Sequence, residues 1–267
     1  MTDVAVAQNT SVDQYRGETG TEHMGQDDFT IPRIHLGQGL SPAVQAGKVK
    51  EGDLYLNIDE VALEQPVLIV PIIASKEYLL WRNRDVEEGG VMARATYNPK
   101  TKLFEWDQPN TKFETVYGKP PKKVVYETGD AFDSQDTEGL HTWGTAFPED
   151  PDSPPAATVH HNYVVLLPEH DMMIAGMSLS RSSLSRARNF NTMLHFGSGS
   201  GNPMWYKAYS LSSESDKSGN HTYMNYSFRP AGNSTDEQRE YAAMVRDSLI
   251  GRVSFDESEP SQEDDSL

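Results

Sequence analysis

The segment PVLIVPIIASKEYLLWRNR, residues 66–84, constrains this chain more than any other. It is a long apolar run dominated by β-branched, leucine and aromatic residues, the composition of a buried strand. Pro71 sits inside it, where a helix would break. A proline in a strand belongs at an edge or a bulge, so the segment reads as one bent strand. Almost no helical period appears in the first two-thirds of the sequence. A doubly wound sheet, which needs strands alternating with helices throughout, therefore suits the pattern less well than an antiparallel arrangement.

The remaining pattern follows from that strand. FTIPRIHLGQGLSPAV (29–44) carries Pro32, Gly37, Gly39 and Pro42 and reads as extended chain and turns. Leu54 and Leu56 alternate into a short strand. Residues 85–158 hold short apolar patches separated by turn residues, the pattern of a β-hairpin-rich insertion. Strand signals return at His161 to Leu167 and Met172 to Leu179. Between Ser180 and Phe196 the period becomes helical, with Leu184, Ala187, Phe190 and Leu194 on one side. Met204–Leu211 and His221–Phe228 read as a hairpin around SESDKSGN. Ser234 and Glu237 form an S-x-x-E capping box before a last helix, with Gly251 as its stop. Strands, a helix between strands, a hairpin and a terminal helix make a mainly β, α+β chain. The order suits an oligonucleotide-binding-type antiparallel barrel, with a β-sandwich as the competitor.

Charge divides the chain further. Of a net −17, residues 1–28 hold −5 and residues 255–267 hold −6, leaving −6 for residues 29–254. The expected organisation is a disordered acidic arm over 1–28, one domain over 29–254 and a disordered acidic tail over 255–267. The concentration of acid at the ends leaves room for a basic groove in the middle. The chain has no cysteine, which removes disulfides, thiolate zinc sites and a cysteine nucleophile. It shows neither a secretory signal nor an apolar run long enough to span a bilayer, so a cytoplasmic location is expected.

Catalytic patterns are sought and not found. GSGSGNP (197–203) has the glycines of a phosphate loop but no lysine, and a strand follows it. GMSLS lacks the second glycine of a nucleophile elbow. His160, His161, His170 and Asp171 match no ligand spacing, and neighbouring histidines on a strand face opposite ways. Asp130, Asp133, Asp136 and Glu138 lack the alternation of a calcium loop. The expectation is a binding protein without enzymatic activity, cofactor or metal.

Three features point to single-stranded nucleic acid. Aromatic and basic residues accompany one another on predicted strands: Tyr78, Trp81, Arg82 and Arg84; then Trp205, Lys207 and Tyr209, spaced by two; then Tyr223 and Arg229. An outward row of this kind can stack unpaired bases and touch phosphates, each stack contributing about 1–3 kcal/mol. The competing role for any one of these aromatics is core packing. In SRSSLSRAR, Arg181 and Arg188 lie seven apart on the expected helix with Arg186 beside them, and no acid intervenes from Ser178 to Gly201. Lys119, Lys122 and Lys123 add a second basic patch. The tail offers Asp256, Glu257, Glu259, Glu263, Asp264 and Asp265, which serve either solubility or docking on a basic partner.

FTIPRIHLGQGLSPAV, PVLIVPIIASKEYLLW, MSLSRSSLSRARNFNTML and PMWYKAYSLSSESDKSGNHTYMNYSFRP together give the chain a resemblance to bacteriophage single-stranded-DNA-binding proteins. The resemblance covers most of 29–250. It implies an oligonucleotide-binding barrel that coats replication or recombination intermediates in an infected cell, and an acidic C-terminal tail that recruits replication or recombination proteins. This tail ends Asp265, Ser266, Leu267 rather than in an aromatic residue. Homodimerisation stays open. A virion or assembly protein without nucleic-acid binding and a metal-dependent nuclease are the alternative readings.

Overall fold

A computed structural model of the chain describes residues 30–82, 90–118, 120–197, 199, 201–219 and 221–249. Arg84, Lys119, Gly251, the arm over 1–28 and the tail carboxylates Asp256, Glu257, Glu259, Glu263, Asp264 and Asp265 lie outside them. The chain divides into two compact units, Met1–Ile31 and Pro32–Leu267, and every element named below belongs to the second.

The 66–84 segment forms β3 (Val67–Trp81), and the sheet is built around it. One edge of β3 pairs antiparallel with β9 (Ala157–Leu167), which pairs in turn with β10 (Met173–Ser180). The other edge is shared. Val67–Ile69 pair with β11 (Lys207–Ser218), and Glu77–Trp81 pair with β4 (Val91–Asn98). The register shifts between Pro71 and Ile73. Pro71 thus occupies a bulge in a central strand, where the missing N–H costs no ladder bond to a second neighbour. From β4 the sheet continues through β5 (Leu103–Trp106) to the two-residue β8 (Ala131–Phe132). β6 (Lys112–Tyr117) and β7 (Lys122–Glu127) form a separate hairpin. Among the described pairings the sheet stays open, with β8, β10 and β12 (His221–Asn233) at its ends.

Beyond β11 lies β12. The hairpin is longer than its sequence suggests. SESDKS is strand, and the ladder runs to Ser218 opposite His221. Its polar residues are held in the ladder from outside by Arg186, which pairs with Glu214 and lies 3.0 Å from Asp216. A short ribbon of β1 (Ile34–Leu36) and β2 (Leu54–Leu56) touches both β10 and β12. Gly176 donates to Pro32 O at 2.7 Å, and the Gln38 amide exchanges hydrogen bonds with the backbone of Met224. Between them Pro42–Gln45 makes one helical turn, α1, where only turns are expected; Pro42 at its start supplies the needed φ.

Four apolar clusters result, the smallest of them Ala43, Val49 and Tyr55 beside α1. The largest lies under α2 (Leu184–Gly197), whose Ala187, Phe190 and Leu194 are buried as the period predicts. The Phe190 ring stacks 4.0 Å from Phe228 and meets Tyr209 edge-on at 5.2 Å. The second gathers Tyr78, Leu80, Ala95, Phe104, Trp106 and Tyr126 on the β4–β8 side. The third packs α3 (Asp236–Leu249) on the other face of β3 and β9 through Val70, Ile72, Val164, Leu166, Ala242 and Val245. The capping box of α3 stands one residue later than expected. Thr235 Oγ1 accepts from Gln238 N at 3.2 Å, and Gln238 Oε1 accepts from Thr235 N at 3.0 Å. Ser234 instead donates to Trp205 O at 2.6 Å. No helix of the described residues is long and apolar enough to cross a membrane.

Tyr209 tests the largest cluster. It is 1 % exposed and donates to Met193 O at 3.1 Å. Tyr209→Ala should lower unfolding free energy by about 3–5 kcal/mol and Tyr209→Phe by about 1 kcal/mol, both read from urea denaturation.

Candidate nucleic-acid interface

The expected aromatic row does not form. The Trp205–Lys207–Tyr209 spacing presumes a regular strand. Instead Met204–Tyr206 is a 3-10 turn, and the register shifts between Ala208 and Tyr209, which breaks the parity. Tyr209 is core. Trp205 packs beside α3 with Arg246 5.5 Å over its ring, and Lys207 donates to Asn233 at 2.6 Å. Tyr78 is also core, 5 % exposed and edge-on to Phe104 and Phe132. Trp81 is partly buried, 6.2 Å from the His160 ring, and Arg82 is exposed. On β12 Tyr226 and Phe228 are core; Tyr223 is half-buried and Arg229 exposed, and Asn225 and Ser227 between them, of the same parity, are buried.

The basic patches divide according to their neighbours. Lys122 lies 2.8 Å from Glu149 and Lys123 2.6 Å from Glu114, so both charges are answered locally. Arg186 is engaged by Glu214 and Asp216, and its hydrogen bond holds the Asp216 carboxyl below the ordinary range. Arg181 precedes α2 in a 3-10 turn with φ 46, so it does not share a helical face with Arg188. Arg188 is exposed on α2 and has no ion pair among the described residues.

Arg188 belongs to a site that neither the aromatic spacing nor the arginine spacing reveals. On the face of β3 that carries Tyr78, Lys76 stands directly opposite His161 of β9. Residues so paired have Cβ atoms about 4.5–5.5 Å apart. Asn191, one helical step of three from Arg188, reaches His161, its Nδ2 lying 3.1 Å from His161 Nδ1. Three donors are thereby brought to one place from β3, β9 and α2. Among the described residues the edge of β3 between its β11 and β4 pairings carries no strand, and Ala74 and Ser75 are exposed there while Lys76 is half-buried.

The electrostatics follow from this crowding. Burial, and then the Arg188 charge, lower the Lys76 pKa, while Asp133 acts to raise it. His161 is pushed down to about 4, first by burial and then by Lys76, Arg188 and His160. Its tautomer is fixed by a relay. Tyr163 OH donates to Asn191 Oδ1 at 2.8 Å, which leaves the Asn191 amide to donate to His161 Nδ1. Neutral His161 therefore carries its proton on Nε2. Lys76, Arg188 and His161 are all donors, two of them charged. Beside them the aromatic surface continues: Lys76 Nζ lies 5.0 Å from the Tyr78 ring and 5.2 Å from Phe104, and Tyr97, 49 % exposed, lies 5.4 Å from Phe104. A cationic corner thus adjoins an accessible ring across β9, β3 and β4.

The opposite face holds a second polar group without the same meaning. Glu77 pairs with Arg94 at 3.1 Å and accepts from Asn162, and His160 Nδ1 lies 3.1 Å from Ser178 Oγ. Ser178 sits mid-strand opposite Asn162, with its backbone in the ladder rather than in a nucleophile elbow. Among the described residues no His, Asp and Glu set of three is placed to hold a metal ion.

A family model described as Pam3 phage gp34-like protein matches residues 2–249. The chain belongs to that family. No curated protein and no solved structure matches it. The match spans every element of the Pam3 phage gp34-like domain described above, including the Lys76–His161–Arg188 corner.

The depressed His161 pKa sets a sign. Between about 4 and the ordinary 6.5, the unfolded chain binds a proton at this position and the folded chain does not. Stability contributed by His161 therefore rises with pH through that window and is flat above it. Urea midpoints measured from pH 4 to 7 should climb more steeply in the parent than in His161→Gln; equal slopes would contradict the assignment.

Proposed function

We propose that this protein binds single-stranded nucleic acid, as a sequence-independent single-stranded-DNA-binding protein of phage replication or recombination, and that it is not an enzyme. The observation that carries the reading is the all-donor corner of Lys76, His161 and Arg188 beside the exposed ring of Tyr97. A phosphate accepts from every group that such a corner offers, and an unpaired base stacks on an open ring. Neutral donors and cations suffice for this, so no metal or cofactor is required.

Two further features support the reading. No Asp or Glu occurs between Asp171 and Glu214, although the whole chain carries −17. A strand of phosphates approaching α2 meets no sequence-local carboxylate. The second feature is strand order. Taking β3, β9, β10, α2, β11 and β12 alone, the pairings run β10-β9-β3-β11-β12 with a helix between the third and fourth strands. A helix between the third and fourth of five antiparallel strands is compatible with an oligonucleotide-binding arrangement opened at one seam, with the β1–β2 ribbon touching β10 and β12 and the β4–β8 wing inserted after the first strand.

Lys76→Ala combined with Arg188→Ala is the direct test. Tryptophan fluorescence on titrating dT oligomers should show affinity reduced at least about tenfold and a salt slope shallower by about 0.7 for each phosphate no longer neutralised. Folding stability should hold or rise, because two crowded cations are removed. Unchanged affinity and slope would sink the proposal.

The tail enters as a competitor. Residues 255–267 carry six carboxylates and no base, and a tethered polyanion competes with phosphates for a cationic site. Deleting them should tighten DNA binding at low salt, with the difference fading near ~0.3 M as screening shortens below ~8 Å. The same deletion should abolish capture of partner replication or recombination proteins. Equal low-salt affinities of the two chains would show that the tail does not visit the site.

A further inference from the structure

A strand with an open edge is a surface that must be either protected or used. β10 and β12 are each touched by the β1–β2 ribbon, and β8 is two residues long. The β6–β7 hairpin differs. Among the described residues β7 pairs with β6 alone, along its whole length, and its second edge carries no strand. Thr128 N donates to Thr111 O at 3.1 Å, which fixes the alternation of the ladder. Thr128, Tyr126 and Val124 turn their backbone groups toward β6, and Lys123, Val125 and Glu127 turn theirs away from it. The side chains of the same three residues are exposed, whereas Val124 and Tyr126 are buried. One row of β7 thus offers backbone donors, backbone acceptors and exposed side chains together.

The charges along that row are arranged about its centre. Lys123 and Glu127 stand on either side of Val125, which is 50 % exposed. Two antiparallel copies of the row, related by a two-fold axis through Val125, set Lys123 of each copy opposite Glu127 of the other and Val125 opposite itself. At all three positions the opposed residues can exchange both backbone hydrogen bonds. Opposite charges directly across a ladder stabilise it, and like charges destabilise it. The pairing also continues the charge order inside the hairpin, where Lys123 meets Glu114 at 2.6 Å and Glu127 meets Lys112 at 3.4 Å. β6 lacks this property. Its residues turned away from β7 are Lys112, Glu114 and Val116, and the symmetric pairing that uses all of them sets Glu114 against Glu114. An edge guarded against association carries charges that would meet their like. The β7 edge carries charges that meet their opposite in a second copy.

We infer that the open edge of β7 is an interface between two copies of this chain, which pair antiparallel about Val125 so that their hairpins form one continuous sheet. The surface is the same on both copies, so the contact is isologous and stops at a dimer. Main-chain hydrogen bonds supply the attraction, and the Lys123–Glu127 pairs fix the register. The contact is short, so the dimer is reversible and concentration-dependent. It does not rest on nucleic-acid binding, and it is measured without nucleic acid.

Sedimentation equilibrium of the full chain should show monomer and dimer and nothing larger. Lys123→Glu sets carboxylates against each other on both sides of the axis, and Glu127→Lys does the same with ammonium groups. Both positions are exposed, so each variant should unfold in urea like the parent. Each alone should raise the dimer dissociation constant at least about tenfold, because like charges then stand directly opposite. An equal mixture should recover dimers of near-parent affinity. In the mixed pair the introduced carboxylate faces the introduced ammonium, and native Glu127 faces native Lys123. Val125→Cys reads the register directly. The chain has no cysteine of its own, and residues opposed in this way have Cα atoms about 5.5 Å apart, within reach of a disulfide. Mild oxidation should give a covalent dimer, while Val61→Cys, at a comparably exposed position outside the hairpin, should not. A parent that stays monomeric up to ~300 μM overturns the inference. So do a mixture no more associated than either variant alone, and a Val125→Cys chain that crosslinks no faster than Val61→Cys.

Discussion

The shared edge of β3 is the constraint on which the rest of this molecule depends. One edge of the strand is occupied by β9, while the other is divided between β11 at Val67–Ile69 and β4 at Glu77–Trp81. A single fifteen-residue strand thereby contributes to three packing units, one of them under α3 on its other face. Its first part closes over α2, and its second part closes over Phe104 and Trp106. Two partners on one edge need a change of direction between them, and the bulge at Pro71 supplies it. Among the described residues the same arrangement leaves the middle of β3 unpaired on that edge, while β9 pairs with it on the other. That gap opens the sheet at Ala74–Lys76, where the cationic corner forms.

Local neighbours, rather than the basic residues themselves, decide which charges are free to meet a ligand. SRSSLSRAR supplies three arginines with three fates. Arg186 meets Glu214 and Asp216 because the extended β11 carries them past α2. Arg181 is turned out of the helix by its positive φ. Arg188 faces Lys76 and His161, two groups that cannot neutralise it. Charged neighbours of one sign in a half-buried place are unfavourable to the folded chain by themselves. Asp133 offsets part of that cost at Lys76, and the remaining excess separates the corner from the balanced Lys122 and Lys123 pairs.

Much of the fold is legible in the sequence, and the places where it is not share a cause. The β3 strand, the buried face of α2 and the hairpin-rich insertion follow from apolar period and turn residues. The hairpin arms are underread because Glu214 and Asp216 look like loop residues until Arg186 is placed beside them. The Trp205–Lys207–Tyr209 row fails because a 3-10 turn and a bulge each reset the alternation, and neither carries a glycine signal at that point. The capping box is displaced because Thr235 and Gln238 satisfy the same pattern one residue on from Ser234 and Glu237. The corner itself is hidden for a different reason. Lys76 shares parity with Tyr78, a readable hint, but its partner strand lies far along the chain, and only the register brings His161 across.

Tyr163 joins the core to the corner. Its ring is fully buried and packs 5.1 Å from Phe190, so its position is set by the same apolar contacts that hold α2 on the sheet. Its hydroxyl donates to Asn191, and Asn191 in turn fixes His161. Burial drives the Tyr163 phenol pKa upward, so the hydroxyl remains a donor across the physiological range. The orientation of a half-buried donor, His161, is thus determined by a side chain in the centre of the largest cluster. A donor anchored this way is preorganised, the condition under which a few hydrogen bonds contribute usefully to the binding proposed above. It also explains why a strand so apolar carries Lys76 at all. The lysine stands at the one position of β3 where the gap in pairing, the end of one core and the start of the next coincide.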